Sequence, residues 1–323
     1  MRLHWLDGAA VHAALPYDRL ADALADAFAE GLRAPPRHHH EVPRPGREPA
    51  VLLLMPAWRP GHETGVKLVH VAPGNEALGL PVVQGLYLLF DGPTGTPRAV
   101  LDGTALTLRR TAAISALAAR HLARPDSHTL AVFGAGALAP HLARAHAAVR
   151  PLRHCLVWNR SRPRAERLAR ALAADFASVR VVEDRHTALA EADVVTCATR
   201  STEPLVEGDR VRPGTHVDLV GAFTPAMRES DAALLARARV FVDTREGALA
   251  EAGDLLRAIK EGAFTAGALA GDLSDLCAGR VPGRRRADEI TVFKSVGTAV
   301  ADLVAATLAL ERGRPGAPRH AGA

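Results

Sequence analysis

The sequence predicts an α/β protein that joins a doubly wound, largely parallel sheet to a separate, mainly antiparallel domain. Residues 128–139 read H-T-L-A-V-F-G-A-G-A-L-A, so a short apolar run leads directly into a glycine-rich turn and a helix start. Strand-like segments separated by Gly/Pro turns precede this stretch, and strands alternating with helical segments follow it. This order is expected of two differently built domains.

The glycine-rich turn matches the dinucleotide-binding fingerprint of a Rossmann-type domain. Gly134 and Gly136 take the first two glycine positions, and Ala139 takes the third. The first glycine makes a tight turn, and the second lets backbone N–H groups approach a pyrophosphate at the start of the helix. The same pattern also fits a glycine-rich turn in any α/β protein. The predicted cofactor contacts in this loop are Gly134, Ala135, Gly136, Ala137 and Leu138.

The residues after the fingerprint complete a βαβ unit, because residues 137–149 have helical apolar spacing and residues 155–158 form a second apolar run. An NAD enzyme usually carries a carboxylate for the ribose 2′-hydroxyl at the end of that run. Arginine pairs with phosphate in bidentate geometry, so a basic cluster there predicts NADPH as the cofactor, with NADH possible. A solvated, basic helix start is the structural alternative. The cluster consists of Asn159, Arg160, Ser161 and Arg162.

The composition is that of a globular protein with two domains. The chain has 323 residues, of which 48% are hydrophobic and 23% charged. Residues 1–10 lack the apolar centre of a signal peptide, and no apolar run is long enough to cross a bilayer, so we expect a cytoplasmic protein without a membrane partner. Cys155, Cys197 and Cys277 lie far apart and are expected to be buried small residues.

The net charge of +5, with an isoelectric point near 9.6, raises the question of nucleic-acid binding. The basic residues are mostly arginines spread among acidic residues, and the dense run at residues 284–286 lies in a Gly/Pro-containing stretch. Anionic small molecules explain this charge as well as nucleic acid does. We therefore expect no nucleic-acid partner.

The amino-terminal third is predicted to contain a helix followed by four strands. Residues 15–32 have the apolar spacing of an amphipathic helix. Three histidines at residues 38–40 precede the first strand, but consecutive side chains of an extended chain point to opposite faces, so we expect no metal site. The predicted strands, bounded by Gly/Pro turns, are residues 51–56, which end at a proline, 65–71, 84–91 and 97–102.

Lys67 is unusual because it lies inside one of these apolar strands. A lysine there is costly unless it meets an anion or lies at an edge, although an outward-facing position on a half-exposed strand would also explain it. Residues 106–123 form a long alanine-rich helix that carries Arg109 and Arg110 near its start. Either arginine is a candidate anion clamp or a surface charge.

Apolar strands continue through the second half of the chain, at residues 180–182, 193–198, 216–220 and 238–243. Their spacing indicates the doubly wound sheet. Ligands of such sheets bind beyond the carboxyl ends of the strands. Residues 291–299 lead into a final helix that ends near residue 310. The residues expected beside the nicotinamide half of the cofactor are Cys197, Ala198, Thr199 and Val220.

Four motifs together resemble the ornithine cyclodeaminase/μ-crystallin family. They are G-V-K-L-V at residues 65–69, L-R-R-T-A-A at 108–113, V-F-G-A-G at 132–136 and F-K-S-V-G-T-A at 293–299. The resemblance implies a homodimer. It further implies a substrate-binding and dimerisation domain at residues 1–112, an inserted NAD(P)-binding Rossmann domain at 113–294, and a return to the first domain at 295–323.

The resemblance also implies a substrate site. Lys67 and Arg110 are the expected catalytic residues and, with Arg37, are expected to surround the carboxylate of a small α-imino or α-amino acid. Met55, Phe223 and Thr298 are expected to line the pocket for the rest of the substrate.

One departure from the family pattern concerns the activity. Ornithine cyclodeaminases are expected to carry an aspartate in a G-A-D-x-P-G-K motif, whereas residues 221–229 here read G-A-F-T-P-A-M-R-E. Phe223 has no proton to exchange, so ornithine deamination is not expected. The resemblance instead implies the branch that reduces a small cyclic imino acid, Δ1-pyrroline-2-carboxylate or Δ1-piperideine-2-carboxylate. Hydride transfer to C2 of the imine would give L-proline or L-pipecolate.

Two alternatives remain open at this stage. Another NAD(P)-dependent enzyme of the same family, either an ornithine cyclodeaminase or an alanine-type dehydrogenase, would use the same scaffold. A non-catalytic, NADP-bound protein resembling μ-crystallin would bind a small ligand without turnover. Lys67 and Arg110 favour an enzyme, because a purely structural role does not require buried cations.

Overall fold

The computed structural model describes residues 3–313, which form two compact units. Unit 1 contains the residues up to Ala27, Gly31–Arg110 and the residues from Thr298 onward. Unit 2 contains Phe28–Glu30 and Thr111–Gly297. The chain therefore leaves unit 1 after Arg110, builds unit 2 and returns to unit 1 for its last described helix. The end of the predicted carboxy-terminal segment, beyond residue 313, lies outside the described residues.

Unit 1 is built on a six-stranded sheet. Its strands are β1 (His4–Leu6), β2 (His38–Val42), β3 (Ala50–Trp58), β4 (Glu63–Val71), β5 (Val83–Asp91) and β6 (Pro97–Asp102). They are ordered β1-β6-β5-β4-β3-β2, with β1 parallel to β6 and the other neighbours antiparallel. The helices that belong wholly or largely to this unit are α1 (Gly8–Ala14), α2 (Tyr17–Ala29) and α11 (Ala299–Arg312).

The two faces of this sheet differ in burial, because side chains alternate between faces along each strand. Helix α11 packs against β3, β4 and β5. The row of side chains in register on the covered face is buried and consists of Met55, Lys67, Tyr87 and Leu101. The adjacent row on the opposite face is apolar and half-exposed or exposed, and consists of Pro56, Val66, Leu88, Val100 and Trp5.

Unit 2 is built on an eight-stranded sheet. Its strands are β7 (Thr129–Phe133), β8 (His154–Trp158), β9 (Ser178–Val181), β10 (Val194–Cys197), β11 (His216–Leu219), β12 (Arg239–Val242), β13 (Gly271–Asp272) and β14 (Thr291–Lys294). All of its neighbouring strands are parallel, in the order β13-β12-β14-β11-β10-β7-β8-β9. Every residue of β10, β11 and β14 is buried, as expected for strands covered on both faces.

The order of these strands locates the topological switch point of the sheet. The chain moves outward from β7 through β8 to β9 and then restarts on the other side of β7 with β10. The topological switch point is therefore between β7 and β10, and ligands of doubly wound sheets bind there. The remaining helices are α3 (Gly103–Leu122), which crosses the unit boundary, α4 (Ala139–Ala147), α5 (Arg162–Leu172), α6 (Arg185–Glu191), α7 (Ala232–Arg237), α8 (Arg245–Glu251), α9 (Gly253–Lys260) and α10 (Leu273–Cys277).

This architecture confirms the predicted fold class, but several elements differ from the prediction. The helix expected at residues 15–32 is α2, and a separate helix, α1, precedes Pro16. Strands β1, β2, β13 and β14 were not predicted, since β1 has three residues, β2 reads H-H-H-E-V, β13 has two residues and β14 has four residues ending in lysine. Cys277 is only partly buried, unlike the other two cysteines.

The expected end of β3 at Pro56 is wrong, because the strand continues to Trp58. Strand β2 ends opposite Leu54. At Pro56, β3 is therefore an edge strand on that side, and the missing N–H of proline is tolerated at an edge. Among the described residues, no helix combines the length and the hydropathy needed to cross a membrane.

Candidate active site

A buried cluster of two cations and one carboxylate lies beneath α11 in unit 1. Lys67 Nζ is 2.7 Å from Asp302 Oδ2, and Arg110 Nε is 2.9 Å from Asp302 Oδ1. Lys67 is 2% exposed, Arg110 6% and Asp302 0%. Lys67 Nζ also donates to Thr107 Oγ1 at 3.4 Å. The structure therefore brings Lys67 and Arg110 together and adds Asp302, which the sequence analysis did not identify.

Three elements position this cluster. Lys67 lies in the middle of β4, in register with Met55 on one side and Tyr87 on the other. Arg110 is the last residue that α3 contributes to unit 1. Asp302 lies in the first turn of α11, in the sequence A-V-A-D-L-V-A-A. Asp302 could have been identified from the sequence, because a carboxylate among the apolar residues of a helix needs a buried partner.

The charges in this cluster shift each other's ionisation. Burial is the main cause that lowers the pKa of Lys67 to about 7; the charges of Arg110 and Arg37 act in the same direction, and Asp302 opposes them. Burial also acts to raise the pKa of Asp302, but Arg110 and Lys67 outweigh it, so the pKa of this carboxyl is lowered. When Lys67 is protonated, the cluster carries one positive charge in excess. The carboxylate of a small ligand would balance that charge.

Tyr87 is a further polar group in the same row of side chains. Its hydroxyl is buried and forms no hydrogen bond within residues 3–313. A Cβ at position 65 would lie 2.2 Å from Tyr87 Oη, so the ring requires glycine there. Burial raises the pKa of Tyr87 well above its ordinary value, which keeps the hydroxyl a neutral donor. Sequence analysis missed Tyr87, because a tyrosine in an apolar strand is an ordinary core residue.

The other predicted substrate residues are distributed over both units. Met55 is buried in β3, and Arg37 is half-buried immediately before β2. Thr298 precedes α11 and caps it, with its hydroxyl oxygen accepting from Val300 N at 3.3 Å. Phe223 follows β11 in unit 2 and is 45% exposed. Of the six predicted substrate residues, Phe223 lies in unit 2 and the other five lie in unit 1: Arg37, Met55, Lys67, Arg110 and Thr298.

The glycine-rich loop of unit 2 has the geometry of a pyrophosphate cradle. Gly134 has a φ of +104°, and a Cβ there would lie 2.7 Å from Ala198 O. A Cβ at Gly136 would instead point into open space. Within the described part of the chain, no hydrogen bond uses the backbone N–H groups of residues 135–138, which precede α4. These open donors fit the phosphates of a bound dinucleotide.

Three of the four residues predicted to hold the ribose end of the cofactor, Asn159, Arg160 and Arg162, line a cavity of about 340 Å³ beside the carboxyl end of β8. Arg162 lines it but is already paired, with Glu166 at 3.0 Å and with Glu183. Asn159 Nδ2 donates to Ser161 O at 3.0 Å. Arg160 has no hydrogen bond or ion pair within residues 3–313, so it is the arginine of this cluster with a guanidinium available to a ligand.

The predicted nicotinamide edge follows β10 and β11. Cys197 ends β10, and Val220 N donates to Cys197 O at 2.8 Å across the two strands. Ala198 N donates to Phe133 O at 3.0 Å, which joins this edge to the end of β7. Thr199 N donates to the buried carboxylate of Glu229 at 2.6 Å. Sequence analysis quoted Glu229 as part of a motif but gave it no role.

The three adjacent histidines lie on the exposed edge strand β2, where His38 and His40 stack with ring centroids 6.5 Å apart. Within the described residues, no group of three or more His, Cys, Asp or Glu side chains is arranged to hold a metal ion.

The chain is similar to a known protein family and to several characterised proteins. A family model described as the ornithine cyclodeaminase/mu-crystallin family matches residues 8–316. The chain is 44% identical over 263 residues to the Delta(1)-pyrroline-2-carboxylate reductase of Paracoccus denitrificans. This alignment covers 81% of this chain and 83% of that protein.

Two solved structures are similar over nearly the whole chain. The Thermococcus litoralis Delta(1)-pyrroline-2-carboxylate reductase in complex with NADH and L-proline has a TM-score of 0.90 and 32% identity, covering 96% of this chain and 97% of that chain. An archaeal alanine dehydrogenase dimer with bound NAD has a TM-score of 0.88 and 29% identity, and the match covers 97% of this chain and 96% of that chain. Because the family model matches far more than half of the chain, this protein belongs to the ornithine cyclodeaminase/mu-crystallin family.

Proposed function

We propose that this protein catalyses the NAD(P)H-dependent reduction of a cyclic ketimine, Δ1-pyrroline-2-carboxylate or Δ1-piperideine-2-carboxylate, to L-proline or L-pipecolate. The observation that carries the proposal is the buried cluster of Lys67, Asp302 and Arg110, whose surplus positive charge suits the carboxylate of a small imino acid. The names of the Paracoccus and Thermococcus relatives support the same substrate class. Phe223, which cannot exchange a proton, supports imine reduction over ornithine deamination.

In this proposal the residues of unit 1 bind the substrate and handle its proton. Arg110 and Arg37 hold the carboxylate through charge-assisted hydrogen bonds, which fix its orientation. Lys67 keeps the imine nitrogen protonated, because a group with a pKa of about 7 both holds and releases a proton near neutral pH. Met55, which is buried in the same row of side chains as Lys67, offers apolar surface to the ring. A protonated imine accepts hydride readily, so little further acid–base help is needed.

The residues of unit 2 hold the cofactor, and the open N–H groups of residues 135–138 fit its pyrophosphate. NAD(P)H bound there would supply a hydride to C2 of the protonated imine, which reduces its C=N bond to the C–N bond of a secondary amine. Cys197, Ala198, Thr199 and Val220 form the edge expected to face the nicotinamide.

The test of this function is an assay of NADPH oxidation by its near-ultraviolet absorbance, with each imine offered separately. We expect rapid oxidation with at least one imine and formation of the matching L-amino acid. L-Ornithine and L-alanine are the controls. Ammonia release from ornithine, or NAD(P)H formation from L-alanine with both imines inert, would assign the protein to a cyclodeaminase or to an alanine-type dehydrogenase. Binding of NADPH without any turnover would favour a binding protein.

We further propose that NADPH is preferred over NADH, because Arg160 has a guanidinium available for a 2′-phosphate while Arg162 is paired with Glu166 and Glu183. Replacing Arg160 with alanine is expected to raise the KM for NADPH about 10- to 100-fold, the usual worth of a hydrogen bond to a charged group, and to leave the KM for NADH within about twofold. Arg162→Ala is the matched control and is expected to change the KM for NADPH less. Equal effects on both cofactors would contradict the proposal.

We also propose that a second copy of this chain covers the uncovered face of the unit 1 sheet. An apolar row crosses five strands there, at Pro56, Val66, Leu88, Val100 and Trp5, and Leu54, Leu68 and Leu86 form the next row. A sheet face this apolar is rare on a monomer unless it is an interface. The dimeric state of the related archaeal alanine dehydrogenase supports a dimer here.

Replacing Leu68 with glutamate is expected to convert the dimer into a monomer at micromolar concentration, because the new carboxylate would be buried in an apolar interface. Sedimentation equilibrium or light scattering measures the mass. Leu78→Glu is the matched control, since Leu78 is an exposed leucine outside the strands of the sheet. A wild-type monomer, or a dimer that persists in Leu68→Glu, would show that this face is not the interface.

A further inference from the structure

A single buried carboxylate joins the loops that follow β10 and β11 in unit 2. Glu229 is 0% exposed. Its Oε1 accepts from Thr199 N at 2.6 Å and from Thr199 Oγ1 at 2.8 Å. Its Oε2 accepts from Gly221 N at 2.7 Å and from Ala222 N at 3.3 Å. One side chain therefore ties together the first residues beyond two adjacent parallel strands.

The two loops are held so closely that no side chain fits between them. A Cβ at position 221 would lie 2.1 Å from Thr199 O and 2.3 Å from Glu229 Oε1. Glycine at position 221 therefore allows the loop after β11 to contact both the loop after β10 and the carboxylate. The carboxylate and the glycine together fix the separation of the two strand ends.

A second buried carboxylate, Asp254, binds the backbone at Glu229 and pairs with Lys294. Asp254 Oδ1 accepts from Glu229 N and Ser230 N, each at 2.8 Å, and Asp254 Oδ2 is 3.3 Å from Lys294 Nζ. Lys294 is 0% exposed and ends β14, which pairs with β11. Burial raises the pKa of Glu229 to about 7; Lys294 opposes this effect and Asp254 adds to it.

The buried ionic character of this cluster is weak evidence for a role in stability. Buried ion pairs are often replaced by apolar residues of similar volume without loss of stability, because desolvation offsets their attraction. The cluster lies at the carboxyl ends of the strands, which is the edge of the sheet that faces the ligand in doubly wound proteins, and the groups that it holds include Thr199, an expected cofactor contact. No step of the proposed mechanism uses Glu229, Asp254 or Lys294 directly.

We propose that Glu229 is a positioning residue that holds the loops after β10 and β11 in place for the nicotinamide half of the cofactor, with Asp254 and Lys294 fixing Glu229 in turn. The inference rests on the proposed use of NAD(P)H. Three of the four donors to Glu229 are backbone N–H groups, which cannot reverse their polarity. A glutamine of the same size would therefore place its NH2 group against at least one of them and release one loop.

The test compares binding of NADPH with binding of 2′-phospho-ADP-ribose, which lacks the nicotinamide. For Glu229→Gln we expect NADPH affinity to fall about tenfold and kcat for the imine to fall about a hundredfold, the effect of displacing a reacting group by about 1 Å. Affinity for 2′-phospho-ADP-ribose is expected to stay within twofold of wild type. A merely structural role would weaken both ligands equally, and that result would overturn the proposal.

Two further variants keep the test decisive. Glu261→Gln is the matched control, because it makes the same chemical change and removes one of the two hydrogen bonds that Glu261 accepts from Arg228, which neighbours Glu229 in the chain. Near-wild-type values are expected. If Glu229→Gln does not fold, Thr199→Val removes one donor to Glu229, and a smaller loss with the same difference between the two ligands is expected. Wild-type-like behaviour of Thr199→Val would then overturn the proposal.

The outcome also separates this inference from the proposed function. If the wild type reduces neither imine, the function is wrong, while the comparison of NADPH with 2′-phospho-ADP-ribose still tests Glu229. If the wild type reduces an imine and Glu229→Gln matches it in every measurement, only the inference is wrong. A wild type that binds neither ligand overturns both.

Discussion

Replacing Lys67 with methionine is expected to lower kcat/KM for the cyclic imine about 1000-fold, within the range usual for removal of a positioned proton donor. Methionine has a similar volume and leaves Arg110 paired with Asp302, so the variant is expected to fold. The KM for NADPH is expected to change little, because Lys67 lies in unit 1 and the dinucleotide loop lies in unit 2. Unchanged kcat/KM in a folded variant would remove Lys67 from the mechanism.

The pH profile gives a second measurement of the same group. Since the pKa of Lys67 is lowered to about 7, the free enzyme loses this proton as pH rises above 7, and kcat/KM is expected to fall on the alkaline side. The imine also titrates, but its titration is common to all variants. The part of the profile that belongs to Lys67 is expected to be absent in Lys67→Arg, which keeps a cation that does not titrate in this range. A profile that is identical in both proteins would contradict the assignment.

Replacing Asp302 with asparagine is expected to lower the free energy of unfolding by about 3–5 kcal/mol, as is usual when one partner of a buried ionic cluster is removed. The variant leaves Lys67 and Arg110 buried side by side without their carboxylate. Denaturant unfolding measures the loss. A change below about 1 kcal/mol, the typical worth of an exposed ion pair, would show that the cluster contributes little to the fold.

Two controls show whether the loss arises from charge. In the double variant Lys67→Met with Asp302→Asn only one cation remains, so part of the stability is expected to return. The loss is also expected to depend on pH. Without Asp302 the pKa of Lys67 falls further below its unfolded value of 10.5, so the unfolded chain binds the proton more tightly and stability increases with pH. The Asp302→Asn variant is therefore expected to lose more stability at pH 6 than at pH 9.

The fold could be predicted well from the sequence, because its main signals are local. The glycine-rich turn at residues 134–136 and the apolar strands around it predict a doubly wound sheet by spacing alone. Strand β2 escaped prediction because its H-H-H-E-V sequence is polar on both faces, as an exposed edge strand allows. Strand β14 escaped because four residues leading directly into a helix motif carry too little periodicity.

The candidate site could be predicted only in part, because its contacts are long-range. Lys67 drew attention as a lysine in an apolar strand, but an exposed position explained the sequence equally well. Its partner Asp302 is 235 residues further along the chain, and no local pattern links the two. Glu229 was hidden in the same way, because its four donors come from two loops that are adjacent only in the folded sheet.

The return of the chain to unit 1 has a consequence for biosynthesis. A ribosome releases β4 and the whole of unit 2 before it releases α11. Until α11 emerges, the nascent chain has no Asp302 to neutralise Lys67 and Arg110, and the inner face of the six-stranded sheet lacks its cover. Unit 2 has no such delay, since nearly all of its residues are consecutive. Co-translational folding is therefore expected to complete the cofactor-binding unit first and the substrate-binding cluster last.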